Sequence, residues 1–539
     1  MTIPTAVAGQ VVPDRVDPAL VTRSLPPAVT DDDLARQRVT QQPPGPSAPR
    51  IALAMGDVVA RTIGVRGSAA VPADAFTAAT GPYLGRHLSQ DDLRLLAGAV
   101  AGIARDRGLV LATASIEPQD LAGGALFVTL DEGRVDAVRS IGRSSPAADR
   151  ILATLVTHRA MTKHELERAL LLVGDLPGVR VKDTRYVRQD GFGILLVTLD
   201  DIKVSTYVQF DNRGTREIGP IRGVGLVSVR GALIPNDEIG LVAAVTPIDP
   251  NEFAFVSGRY AAPIGSGGGA ASISAFYGRT HAGGSFSDLA LNGESYGFGI
   301  GYSAVLERTR THSLWFDVDL HALATEQSAL GYRFRDDHLT VLSGTLRSAS
   351  TVAGGLLHVS AQVNAGLPVP GATHEGDPLA SRPDGDARYV AGVFQADWTR
   401  TIAGPFSIAL ASVAQIASRP LLATAEISLG GPGFGRAYDY SERTGDQGVL
   451  GSAEVRIDLA RLLAPTAQRV QLYAFGDGGT VTNLRDGYGG GTLASGGVGL
   501  RVGQGPVDGG IEVAIPITAD RLDTGNRAAR VSGQLAIHF

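Results

Sequence analysis

The residues of this chain best suited to chemistry lie in two segments of its last quarter. Between Leu429 and Tyr440 the order is Gly430, Gly431, Pro432, Gly433, Phe434, Gly435, then Arg436, Ala437, Tyr438 and Asp439. Glycines permit tight backbone folding, as in phosphate-binding loops. The Lys-Ser/Thr pair that grips phosphate and magnesium is missing, however, and no helix follows, so nucleotide binding is set aside. Taken alone, the segment reads as an external loop with one arginine among aromatics. In the second segment, Leu472 to Val481, alternation puts Phe475 and Asp477 on one face with Gln471 and Tyr473. A lone aspartate on a wet face is simply solvated. Meeting an arginine from an inward-folded loop, it would form a charge-assisted, bidentate bond. No enzyme, metal or cofactor is expected. The ten histidines are scattered without His-Glu-x-x-His spacing. Gly284, Ser285, Phe286 and Ser287 lack the strand-to-helix setting of a nucleophile elbow.

The elements that must position these residues are strands. The chain ends on Val531, Leu535, Ile537 and Phe539 alternating with Ser532, Gln534 and His538. This apolar-out, polar-in pattern is that of a lipid-facing barrel strand. It recurs upstream: Tyr296, Phe298, Ile300 and Tyr302 alternate with Gly297, Gly299, Gly301 and Ser303, and Val455 and Ile457 with Glu454, Arg456 and Asp458. Unpaired charges facing a dry sandwich core would cost several kcal/mol each, whereas a wet lumen tolerates them. From 203 onward there is room for about sixteen strands of ~10 residues plus turns, an even number as a single-chain barrel needs. No stretch of ~18 apolar residues competes as a membrane helix.

Composition agrees. Mean hydropathy is only slightly positive, and a net charge of −6 gives no nucleic-acid footprint. With no cysteine, disulfides and thiolate metal sites are excluded. Residues 1–50 are a proline-rich linker with short helices expected near Pro18 to Leu25 and from Thr30 through Arg38. Met1 to Ala8 lacks a secretory signal, although Ala6-Val7-Ala8 before Gly9 resembles a cleavage site and suggests a truncated start. Residues 51–132 and 133–201 form an internal repeat. Leu88 to Leu93 echoes Met161 to Leu166, each a capped helix start, and Leu126 to Leu130 echoes Leu195 to Leu199. Two β-α-α-β-β modules fit, followed by a barrel over 202–539.

These residues resemble a known family. Pro82 to Ser89, Arg107-Gly108, Glu117 to Leu121 and Asp131 to Val135 look like the first POTRA domain of the outer-membrane transporters of two-partner secretion, the haemolysin secretion/activation family of the Omp85 superfamily. Arg168 to Leu172 with Asp175 to Val179 look like its second, and Phe210 to Gly214 like the opening of its barrel. The resemblance covers about residues 50 to 539, with several motifs in order. It implies a sixteen-stranded barrel in the outer membrane of a Gram-negative bacterium, with periplasmic POTRA domains that recognise a secreted haemolysin- or adhesin-type partner. It also implies contact with outer-membrane lipid, with the barrel assembly machinery through the strand ending at Phe539, and a plug helix within 1–50. The family's loop after the eleventh strand folds into the lumen, and its Val-Arg-Gly-Tyr/Phe tetrad meets a Phe-x-Asp motif. Gly435, Arg436, Ala437 and Tyr438 are similar to the tetrad, with Gly435 for valine and Ala437 for glycine; Phe475 and Asp477 are similar to its partner. Docking of the exported chain on the POTRA sheets is assigned, by region, to Leu126, Val128, Leu195 and Val197. An Omp85-type insertase is the alternative, disfavoured because such factors carry more POTRA units. A passive porin needs no docking arm.

Overall fold

The computed structural model describes residues 14–25, 50–52, 58–121, 123–189, 191–460, 468–485 and 487–539. Sixteen antiparallel strands close into one barrel. In chain order they are β1 Val204–Asp211, β2 Arg222–Arg230, β3 Glu238–Val245, β4 Phe253–Ile264, β5 Gly269–His281, β6 Asn292–Arg308, β7 His312–Ala329, β8 Tyr332–Val352, β9 Gly355–Gly366, β10 Val390–Ala403, β11 Phe406–Ala417, β12 Gln447–Asp458, β13 Arg469–Thr482, β14 Gly491–Gln504, β15 Val507–Pro516 and β16 Arg530–His538. Alternation decides which face is wet. On β6, Tyr296 and Phe298 are 56% exposed on the outer wall while Gly297 and Ser295 turn inward. A belt of such residues is what hydrocarbon covers in a membrane barrel. Among the described residues, no helix is long and apolar enough to cross a membrane. The seam pairs Tyr207 to Asp211 with His538 to Gln534, and Thr206 and Phe539 exchange both main-chain bonds, 3.0 and 2.9 Å. Phe539 itself is 76% exposed.

Two α+β modules precede the barrel. In the first, Ala125–Asp131 lies between Thr62–Arg66, parallel, and Thr113–Ile116, antiparallel. In the second, Phe192–Asp201 lies between Ala137–Gly142, parallel, and Val179–Gln189, antiparallel. Helix α2, Gln90–Asp106, covers the first sheet; α3, Pro146–Ala153, and α4, Lys163–Gly174, cover the second. The first module departs from the expected layout: its first helix shrinks to short turns, Ala73–Phe76, Thr77–Thr80 and Gly81–Tyr83. The second module is tied to the barrel, where Arg308 forks onto Asp175 with two bonds of 2.7 Å and Arg310 meets Glu167 at 2.9 Å.

The expected docking residues need correction. Leu126, Val128, Leu195 and Val197 sit on the central strands, 0% exposed, with their side chains in the two module cores. A central strand has both edges occupied, so these residues hold the modules together and cannot receive another chain. The edge strands among the described residues are Arg50–Ile51 and Thr62–Arg66 in the first sheet and Ala137–Gly142 and Val179–Gln189 in the second.

Both sequence-identified helix starts carry reciprocal capping boxes, Ser89 with Asp92 and Thr162 with Glu165. The Arg159 fork on Glu165, helped by bonds from Thr162, pulls this carboxyl from 4.5 to about 2. Its stabilising effect is therefore complete above pH 4.5 and is lost as the pH falls towards 2. Glu165→Ala should cost about 1 kcal/mol at pH 7, read from thermal melting of the helical circular-dichroism signal. The gap between parent and variant should close in acid; a gap unchanged with pH would contradict the cap.

The expected early helix is observed as α1, Pro18–Arg23, inside the barrel. The expected helix from Thr30 through Arg38, the prolines after Gln42 and the Ala6-Val7-Ala8 site lie outside the described residues.

Candidate functional site in the barrel lumen

The loop after the eleventh strand, 418–446, turns into the barrel instead of outward. Its Ile427–Leu429 and Arg443–Gly445 pair as a small antiparallel hairpin, and Ala437 and Tyr438 at its tip are 0% exposed. Read alone, the segment is an external loop; the fold overturns this, because its glycines let the chain double back. Gly430 and Gly435 have φ of +111° and +77°, and a Cβ at Gly430 would lie 2.1 Å from the Asp439 carbonyl oxygen. The departure from valine at 435 thus matches a left-handed backbone that β-branched residues avoid.

This fold delivers Arg436 to the wall formed by β12, β13 and β15. Its Nε lies 3.1 Å from Asp477, and its Nη1 donates to Glu454 at 3.0 Å and to Glu512 at 3.1 Å. Its guanidinium sits 4.1 Å from the Phe475 ring centroid, a cation–π contact. Asp477 also accepts from the Arg436 main-chain N–H at 3.4 Å and from the Ser495 hydroxyl. The expected pair is therefore present, but not as a bidentate fork: three carboxylates from three strands share one arginine. The extra anions are balanced by more arginines, with Arg501 and Arg456 on Glu454 at 2.5 and 2.6 Å and Arg213 on Glu512 at 2.8 Å. Gly497 and Gly499 on β14 make the room. A Cβ there would come within 2.7 Å of the Phe475 ring and 2.3 Å of the Tyr473 ring. The Tyr438 hydroxyl lies 3.2 Å from the Ala494 carbonyl and 3.1 Å from that of Ala519, locking the tip to β14 and the last loop.

The hairpin also meets the segment that leads into α1. Arg15 lies 3.5 Å from Asp439 and 3.6 Å from Glu442, and the Tyr440 hydroxyl donates to the Arg15 carbonyl. The opposite wall holds the same segment: Asp14 pairs with Arg335 at 2.7 Å, and Asp17 accepts from Thr325 and Ser295 at 2.9 and 3.1 Å. Inward glycines allow this approach, since a Cβ at Gly293 would lie 2.5 Å from the Val16 carbonyl oxygen. Sequence reasoning missed Glu512, Arg501, Arg213 and the Arg15 contacts, because each lies far along the chain from Arg436. The signal for Glu454 was present, as its alternation places it on the wet face. The arrangement holds two polar-anchored segments across the lumen.

Comparison with known proteins places these features. Residues 194–502, more than half of the chain, match the model of the family "Haemolysin secretion/activation protein ShlB/FhaC/HecB", and residues 58–133 match "POTRA domain, ShlB-type". The heme/hemopexin transporter protein HuxB of Haemophilus influenzae is 27% identical over 225 residues, 40% of this chain and 39% of that protein. The matched region thus spans about two fifths of that relative's length. The outer membrane transporter CdiB of Escherichia coli is 23% identical over 461 residues, 81% of this chain and 75% of that protein. The solved CdiB structure from Escherichia coli superposes with a TM-score of 0.70 at 19% identity, over 100% of this chain and 99% of that one. CdiB from Acinetobacter baumannii gives 0.63 at 15% identity, over 100% of both chains. With the family model matched across the barrel and its POTRA model across the first module, the chain belongs to the ShlB/FhaC/HecB haemolysin secretion/activation family.

Proposed function

We propose that this protein is an outer-membrane transporter that exports a large secreted partner protein, of haemolysin or adhesin type, through its barrel. The chain divides into an N-terminal segment carrying the α1 plug, 1–50, two periplasmic POTRA modules, 51–132 and 133–201, and the membrane barrel, 202–539. The observation that carries the reading is the lumen itself. It is obstructed by α1 and the Arg436 hairpin, which pack apolar residues such as Val21, Leu429 and Tyr438 but are anchored by ion pairs and hydrogen bonds that water can replace when the segments withdraw. A permanent plug would not need such ion pairs. The free module edges support capture of an extended chain by strand addition, which uses main-chain bonds and asks little of sequence. The partners are the exported protein, outer-membrane lipid around the apolar belt, and the barrel assembly machinery through β16 and Phe539. Arg436 and its carboxylates position the hairpin and perform no bond chemistry.

Residence and export are tested together. Outer-membrane fractions should hold a form that migrates faster on a denaturing gel unboiled than boiled, as closed barrels do. Cells expressing the transporter with a cognate partner should release that partner into the medium. A soluble protein without a heat-modifiable band would end the barrel assignment. A folded barrel that releases no partner would end the export assignment alone.

A further inference from the structure

A second arginine sits at the base of the inward hairpin, supplied by a different loop. Arg382 belongs to the connection between β9 and β10, yet its side chain is only 1% exposed. Its Nη1 donates to Glu426 at 2.9 Å, to Asp446 at 2.9 Å and to Asn483 at 3.1 Å. Its Nη2 donates to the Leu484 carbonyl at 2.8 Å, and its Nε to Asp384 at 2.7 Å. Glu426 and Asp446 immediately flank the paired ends of the hairpin, where Ile427 lies opposite Gly445. The two anions are thus the feet of the hairpin whose tip carries Arg436. Asp446 also accepts from the main-chain N–H of Leu421 at 2.6 Å and of Leu484 at 2.7 Å, binding in the β13–β14 connection. From the lumen side, Arg23 at the end of α1 donates to the carbonyls of Glu426, at 3.1 Å, and Thr424.

We propose that Arg382 is a positioning residue for export: it clamps the hairpin base from the outer loops, so that displacement of the β9–β10 loop frees the hairpin. The physical reason is charge balance. One guanidinium faces three carboxylates, Asp384, Glu426 and Asp446, and the side chains of Glu426 and Asp446 are 0% exposed. Withdrawing the cation leaves the buried Glu426 and Asp446 carboxyls without their shared partner, and hydrating them requires the feet to part. The Arg436 contacts at the tip, with those of Arg15 and Arg23, then oppose the same motion without it. The clamp rests on the inward hairpin being the obstruction in the lumen, but its test needs no exported partner.

The parent chain has no cysteine, so a single reporter is clean. Ser441 is 3% exposed and already adopts a positive φ of 52°, so Ser441→Cys adds no backbone strain. Whole cells lacking any partner protein would be treated with a membrane-impermeant maleimide. The reporter should be protected in the otherwise native chain. With Arg382→Ala it should label at least about tenfold faster, the population shift given by about 1.4 kcal/mol of lost anchoring. Arg382→Lys should fall between, since one ammonium cannot span Asp384, Asp446 and the Leu484 carbonyl together. The heat-modifiable band reports independently that the barrel is folded. If Arg382→Ala does not yield a folded barrel, Glu426→Gln with Asp446→Asn removes the charges while keeping shape, and faster labelling is again expected. A reporter that stays protected in a folded Arg382→Ala barrel, or in that double variant, overturns the clamp. Failure of partner release in a separate assay would touch only the export reading.

Discussion

Arg436→Ala should cut release of the partner protein by an order of magnitude or more while leaving a heat-modifiable barrel in the outer membrane. The arginine is removed from among Glu454, Asp477 and Glu512, all in its immediate contact. Breaking a buried ion network by deleting one partner costs about 3–5 kcal/mol, less where water reaches the site. That cost falls on the seated hairpin, whereas the strand ladders that hold the barrel are untouched. Asp477→Asn alone should be milder, because Nη1 keeps Glu454 and Glu512. Glu454→Gln with Glu512→Gln should be closer to Arg436→Ala. Arg436→Lys should rescue only in part: it keeps one charge but loses the planar fork and its stacking on Phe475. Normal release by Arg436→Ala, with ready outside labelling of a cysteine placed at 436, would show that the arginine holds nothing.

Deleting residues 58–132 should abolish release and leave the barrel folded. The tie between the second module and the barrel, Arg308 with Asp175 and Arg310 with Glu167, is retained in such a chain. What disappears is the free edge at Thr62–Arg66. An added strand gains several main-chain hydrogen bonds at about 0.5–1.5 kcal/mol net each, so losing about 3 kcal/mol would lower occupancy roughly a hundredfold. Removing the second module should have the same outcome through the edge at Val179–Gln189. Point changes at Leu126 or Val197 should act differently. Leu126→Ala opens a cavity under α2 and should cost about 2–5 kcal/mol of module stability, read as protease sensitivity, before any effect on capture. Undiminished release after removal of either module would refute the docking role.

Much of this protein was written in local pattern. Period-two alternation identified the barrel because a membrane wall sorts every second side chain to hydrocarbon and the rest to water, and that sorting needs no knowledge of neighbouring strands. The capping boxes at Ser89 and Thr162 marked the starts of α2 and α4 for the same reason: each cap is made by residues three apart. Family resemblance added the pairing of Arg436 with Asp477, which spacing alone left as an external loop and a solvated acid. Other features depended on contacts between distant segments. A strand's sequence does not say whether it lies at the centre or the edge of its sheet, so Leu126, Val128, Leu195 and Val197 read as available when they are core. The carboxylates around Arg436, the hold of Arg15 on Asp439 and Glu442, and the Arg382 clamp join residues dozens to hundreds of positions apart. Closing sixteen strands into a ring is what brings them together. The sequence by itself therefore determined strand, face and helix start; the closed barrel decided which charges meet, because only its curvature folds β12, β13 and β15 around one guanidinium.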